Sequence, residues 1–160
     1  MIWLGIDPGL AITGWAILKE REGDTPLLVD YGIIETKECL PTGARLKEIE
    51  EDITAIVREF KPSHVVVEMP FFHSQVKAAG GVLQALGVIH LVCYREARLI
   101  PIFLHQASWK ANLGNGHANK KQVAMILQQI FSLPHLPIDD SLDAIGIAYA
   151  GICGVRNNIR

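Results

Sequence analysis

His64-Val65-Val66-Val67-Glu68-Met69-Pro70 is the stretch on which the reading of this chain turns. Three consecutive β-branched apolar residues form a short run with no polar alternation, the pattern of a parallel strand buried on both faces. The run stops at Glu68, Met69 and Pro70. A carboxylate at the carboxyl end of such a strand is part-buried, and a buried unpaired charge costs several kcal/mol, so Glu68 calls for a cation. The ends of strands in sheets of this kind are also where ligand sites form. The alternative at this position is a glutamate that turns out to solvent.

Working outward, the residues from Arg45 carry Leu46, Ile49, Ile53, Ile56, Val57 and Phe60 at helical spacing, and Pro62 follows. That is an amphipathic helix with the acidic run Glu48, Glu50, Glu51 and Asp52 on its outer face. Further upstream, Ile2 to Asp7, Thr13 to Lys19 and Leu27 to Thr36 read as strands of an antiparallel meander. They are punctuated by Pro8-Gly9 and by Arg21-Glu22-Gly23-Asp24. Downstream, Ser74 offers an N-cap to a long helix whose small residues Ala78, Ala79, Gly80, Gly81, Ala85 and Gly87 would admit a close neighbour. Ile100 to Leu104 makes a fifth strand. A glycine-bearing loop from Asn112 to Asn119 precedes a helix over Lys120 to Phe131, and a last helix begins near Asp140. Strands first, then strand alternating with helix, predict an α/β fold: a five-stranded mixed sheet flanked by helices. The 160 residues suffice for a single domain, 1–160, whose tail from about residue 155 is expected to fray.

No run reaches the about 18 apolar residues that a membrane span needs, and Asp7 interrupts the opening apolar stretch too early for a signal peptide. A cytoplasmic protein without membrane contact is expected. Cys39, Cys93 and Cys153 have no metal-ligand spacing and read as buried free thiols. None of the six histidines is assigned to a metal. The formal net charge of -2 argues against nucleic acid, because backbone binding rests on phosphate neutralisation. The distribution reverses that reading. Between residues 69 and 138 stand Lys77, Arg95, Arg98, Lys110, Lys120 and Lys121 against Glu96 alone.

Asp7 ends an otherwise apolar strand and is followed by Pro8-Gly9, so its side chain is presented where the backbone leaves the sheet. A turn-capping aspartate would look the same. Asp140 and Asp143 share one face at the start of the last helix, which is also the geometry of an N-cap and N3 pair. Taken together, two strand-end carboxylates and this pair can converge on one oxygen-rich pocket suited to Mg²⁺ and phosphate. Two ions roughly 3.5–4 Å apart would serve the attacking and the leaving oxygens of a phosphodiester.

Gly5-Ile6-Asp7-Pro8-Gly9 with Thr13-Gly14-Trp15-Ala16, Val66-Val67-Glu68 with Phe71-Phe72, Gly114-Asn115-Gly116-His117-Ala118-Asn119-Lys120-Lys121-Gln122-Val123, and Asp140-Ser141-Leu142-Asp143-Ala144-Ile145 together resemble the four motifs of RuvC-type Holliday-junction resolvases. They occur in order across nearly the whole chain. The resemblance implies an RNase H-like fold and a homodimer. It also implies a Mg²⁺-dependent endonuclease, with two ions per site and Mn²⁺ as a substitute, making paired nicks in strands of like polarity at a four-way DNA junction. It puts Asp7, Glu68, Asp140 and Asp143 as the catalytic, metal-binding carboxylates and Lys120 beside the scissile phosphate. Phe71, with Phe72, matches the aromatic that contacts bases at the junction centre, a position a core phenylalanine would also suit. Lys77, Lys110 and Lys121, with Lys120, are expected on DNA phosphates. A branch-migration motor complex is a further candidate partner. Asp139, an extra acid before the closing pair, leaves the choice between Asp139 and Asp140 open; the spacing to Asp143 favours Asp140.

Two rival classes share some of these features. An actin-like phosphate-binding domain also opens with an apolar strand, Asp and Gly, but such ATPases need two domains to enclose a nucleotide. A non-catalytic junction-binding protein would keep the basic middle and dispense with the acidic cluster, yet all four carboxylate positions are filled.

Overall fold

A computed structural model describes residues 1–70, 76–135, 137 and 139–158. Strands β1 (Ile2–Asp7), β2 (Ile12–Lys19) and β3 (Leu27–Glu35) are followed by helix α1 (Thr42–Phe60) and strand β4 (His64–Met69). Then come α2 (Val76–Ala97), β5 (Ile102–His105), α3 (Gln106–Ala111), α4 (Lys120–Phe131) and α5 (Asp139–Asn158). The strands form one sheet in the order β3-β2-β1-β4-β5. β1 runs antiparallel to β2 and parallel to β4, β2 antiparallel to β3, and β4 parallel to β5. This is the five-stranded mixed sheet that the apolar runs predict.

The period-2 alternation of β1 assigns its side chains to two cores. Leu4 and Ile6, with Val65 and Val67 of β4, bury against α1 and α2 through Ile49, Ile53, Val57, Ile89 and Val92. Trp3 and Val66 face the other way, into a core built with Trp109 of α3, Val123 and Leu127 of α4, and Ile145, Ile147 and Ile152 of α5. By the same alternation Asp7 falls on the face of Trp3, and Glu68 on the face of Val66. Both carboxylates therefore lie on the side of the sheet that α5 covers.

Several boundaries differ from expectation. β4 extends through Glu68 to Met69, so Glu68 belongs to the strand rather than following it. α3 lies where a loop is expected; six residues are too few for a helical period to register. α5 continues to Asn158, into the stretch expected to fray. The small residues of α2 do not seat a close neighbour at Gly80 or Gly87, where an added Cβ would meet nothing within 4 Å; Gly81 alone of the three lies against Leu10. Ser74, Phe71 and Phe72 lie outside the described residues, as do the side chains of Lys77 and Asp139. Of the three cysteines only Cys93 is buried, Cys39 is exposed, and no disulfide forms among the described residues. No described helix is long and apolar enough to cross a membrane.

Candidate active site: a carboxylate cluster over the sheet

β1 and β4 run in parallel with Ile6 opposite Val67, so one residue further on Asp7 and Glu68 come side by side. The turn that follows Asp7 is held by other residues. Buried Thr13 donates its hydroxyl to the Gly9 carbonyl at 2.6 Å, and Thr36 donates to the Leu10 carbonyl at 2.6 Å. Asp7 is therefore not needed to fix its own turn.

The helix that completes the cluster is seated on glycines. A Cβ on Gly14 would collide with the carbonyl oxygen of Asp140 and stand 3.0 Å from the Ser141 nitrogen. One on Gly5 would collide with the Ala144 carbonyl and come within 2.7 Å of the Ala148 side chain. α5 thus rests directly on the backbones of β1 and β2, and this close approach brings Asp140 and Asp143 over the ends of the strands.

The electrostatics register the convergence. Burial, then the like charges of Glu68, Asp143 and Asp140, push Asp7 up from 3.8 to about 8, while Lys120 opposes the shift. Asp143 is raised to about 6 by burial and by Glu68, with Lys110 and Lys120 pulling the other way. Burial also raises Glu68, against a hydrogen bond from Trp109 and the charge of Lys110. Each of the four carboxylates thus lies within electrostatic reach of others in the set. Among the described residues no three such side chains stand in position to hold one ion as they are oriented here. The donor set fits a hard divalent cation all the same: it is all oxygen, part-buried, and carries negative charge that protons alone relieve.

A consequence for stability follows. Unfolded Asp7 ionises near 3.8 and folded Asp7 near 8, so between these values the folded chain holds the extra proton. Stability of the metal-free protein is expected to fall as pH rises from about 4 to about 8. Thermal melts in EDTA across that range check this; a midpoint that climbs steadily toward pH 8 would show that Asp7 is not held in a crowded, buried cluster.

Two cations adjoin the acids. Lys120 opens α4, whose start is fixed by a capping box: Asn119 Oδ1 accepts from the Gln122 amide at 3.0 Å and Gln122 Oε1 from the Asn119 amide at 2.9 Å. Lys110, expected on the outer surface, is instead 8% exposed, with Nζ 5.4 Å from the centroid of the Trp109 ring. Lys121 is exposed on the first turn of α4. Arg95, in the basic middle of the sequence, is taken up elsewhere: it pairs with Glu50 at 2.6 Å and Glu96 at 2.7 Å, bridging α1 and α2. An open groove of about 560 Å³ reaches the cluster at Asp140, running past Gly9 to Ile12 toward Arg45 and Gly81.

Sequence reasoning misses Trp109. Its indole N–H donates to Glu68 Oε2 at 2.6 Å across 41 residues of chain, a pairing that no local pattern announces.

A five-stranded mixed sheet with acids from β1, β4 and α5 gathered on one face defines a protein of RNase H-like fold with a carboxylate site. The family model for crossover junction endodeoxyribonuclease RuvC matches residues 3–151. The chain belongs to that family. The RuvC crossover junction endodeoxyribonuclease of Synechocystis sp. is 62% identical over 157 residues, covering 98% of this chain and 94% of the relative. The structure of Thermus thermophilus RuvC in complex with a Holliday junction substrate superposes with a TM-score of 0.92 at 27% identity, over 99% of this chain and 96% of that one. The yeast mitochondrial Holliday junction resolvase Ydc2, at 13% identity and a TM-score of 0.69 over 92% of this chain and 76% of that one, shares the fold. RuvC nucleases are divalent-metal dependent, in keeping with the acids gathered here.

Proposed function

We propose that this chain is a structure-selective endonuclease that resolves four-way DNA junctions by paired nicks in strands of like polarity. The observation that carries the reading is the meeting of Asp7, Glu68 and Asp143 with Asp140, beside Lys120 and Lys110, on a RuvC fold. Asp7, Glu68, Asp140 and Asp143 would hold Mg²⁺, two ions per site, with Mn²⁺ able to substitute. Bound there, the metal supplies Lewis-acid chemistry: it activates the attacking water and offsets charge on the leaving oxygen. The chain's own residues do the rest. The raised affinity of Asp7 for protons means that it exchanges a proton for the cation. Lys120 and Lys110 offset negative charge where the phosphate would sit, and their positions suit the transition state better than the ground state because charge accumulates there. Lys121, with Lys77 and the Phe71-Phe72 pair, is assigned to DNA contact from the sequence motifs. A cytoplasmic setting suits three cysteines that form no disulfide.

Mapping the nicks on a synthetic four-way junction tests this. Symmetric cuts in two strands of like polarity are expected, and cuts scattered along the arms would refute junction resolution.

Paired nicks need two sites, and α2 supports a homodimer. Leu83, Leu91 and Tyr94 are each more than half exposed along one side of that helix, and Gly87 between them leaves room for a second backbone. A chain with Leu83→Glu and Leu91→Glu is expected to sediment as a monomer of 17.6 kDa where the parent is a dimer. A variant that remains dimeric would place the interface elsewhere.

A further inference from the structure

We propose that Trp109 is a positioning residue for Glu68. Its indole N–H holds one carboxylate oxygen, fixes the side-chain rotamer, and leaves Oε1 as the atom that ligates a divalent cation. The inference rests on the reading of Glu68 as a metal ligand and deepens it.

Three observations carry it. First, Trp109 is fully buried, so its single donor needs an acceptor, and the acceptor is a charged oxygen of the site rather than a backbone carbonyl. At 2.6 Å this is a charge-assisted bond, stronger and more directional than a neutral one. Second, the ring cannot rotate away. It fills the space left by Gly146 of α5, where a Cβ would lie 2.8 Å from the ring, and Leu127 of α4 stands against the same glycine. The helix that carries Asp140 and Asp143 therefore also locks the group that orients Glu68. Third, the next residue, Lys110, acts on both Glu68 and Asp143, so α3 delivers an orienting donor and a cation from consecutive positions. Outer partners that hydrogen-bond a ligating carboxylate set its direction and are worth about 10–100-fold in metal affinity.

A purely structural role would make the same bond: a buried indole satisfied by the nearest carboxylate. Trp3 separates the two cases. It is equally buried, and its Nε1 donates to Glu20 Oε2 at 3.2 Å, but it lies at the opposite end of β1 from Asp7.

The test is Mn²⁺ affinity, measured by calorimetry on the purified protein without DNA. Trp109→Phe is expected to weaken binding by about 10-fold or more, Glu68→Gln at least as much, and Trp3→Phe not at all although it lowers the melting temperature comparably. Wild-type affinity in Trp109→Phe, with Glu68→Gln weakened, would overturn the positioning role alone. An equal loss in Trp3→Phe would overturn it too, by showing that general destabilisation suffices. Wild-type affinity in Glu68→Gln would sink the metal-ligand reading beneath it. Should Trp109→Phe not fold, ¹⁵N spectra of the indole groups serve instead: one slowly exchanging N–H signal must move when Glu68→Gln is introduced, and three unmoved signals would refute the proposal.

Discussion

Asp7→Asn is expected to abolish junction cleavage, by on the order of 10³-fold or more, while raising the thermal stability of the metal-free protein. The loss exceeds the about 10–100-fold typical of outer partners because a ligand of the cation itself is removed. The gain comes from the same crowding that makes the site. At pH 7.5 the unfolded chain ionises Asp7 freely, whereas the folded chain must keep it protonated or bear its charge beside Glu68, Asp143 and Asp140. A neutral amide of the same size removes that conflict. Each kcal/mol relieved raises the melting temperature by about 2–4 °C in a chain of this length. Melts in EDTA, alongside cleavage and gel-shift assays on a four-way junction, measure both effects. A variant that binds junctions, fails to cut and melts higher fits; one that melts lower would show Asp7 to be structural.

Gly14→Ala and Gly5→Ala are expected to damage the site without touching a charged group. In each the added carbon collides with a backbone carbonyl of α5, at Asp140 or Ala144, and backbone cannot swing aside as a flexible side chain can. α5 must lift or shift, at a cost of about 3 kcal/mol or more, and Asp140 and Asp143 move with it. Both variants should therefore lose stability and cleavage together, and the raised proton affinity of Asp7 should relax as its neighbours withdraw. Gly80→Ala on α2, where nothing lies within 4 Å, is the control that should leave both unchanged. Thermal melts and junction cleavage of the three variants check this; a stable, active Gly14→Ala would mean that α5 does not rest on β2 as described.

Much of this was legible in the residues because the signals are local. Val65-Val66-Val67 announces a buried parallel strand, and Pro8-Gly9 and Pro70 mark where strands end, so the placement of Asp7 and Glu68 at one end of the sheet follows. The spacing of Asp140 and Asp143 places them on one helical face. What was not legible depends on contacts between distant segments. Gly5 and Gly14 look like ordinary strand glycines until α5 is laid across them, and the small residues of α2 draw attention to a helix that leaves Gly80 and Gly87 open. Lys110 reads as one more surface cation, because nothing in a six-residue helix tells which side faces inward. Trp109 finds Glu68 across 41 positions, a pairing fixed by Gly146 and the packing of α5.

The measurement that bears most directly on the central claim is cleavage of a labelled four-way junction against a matched linear duplex, with Mg²⁺ or with EDTA, by the wild-type chain and Glu68→Gln. The account predicts nicking of the junction alone, only with Mg²⁺, and lost in the variant although the junction is still bound. Cleavage that survives EDTA, or that treats duplex and junction alike, would contradict it.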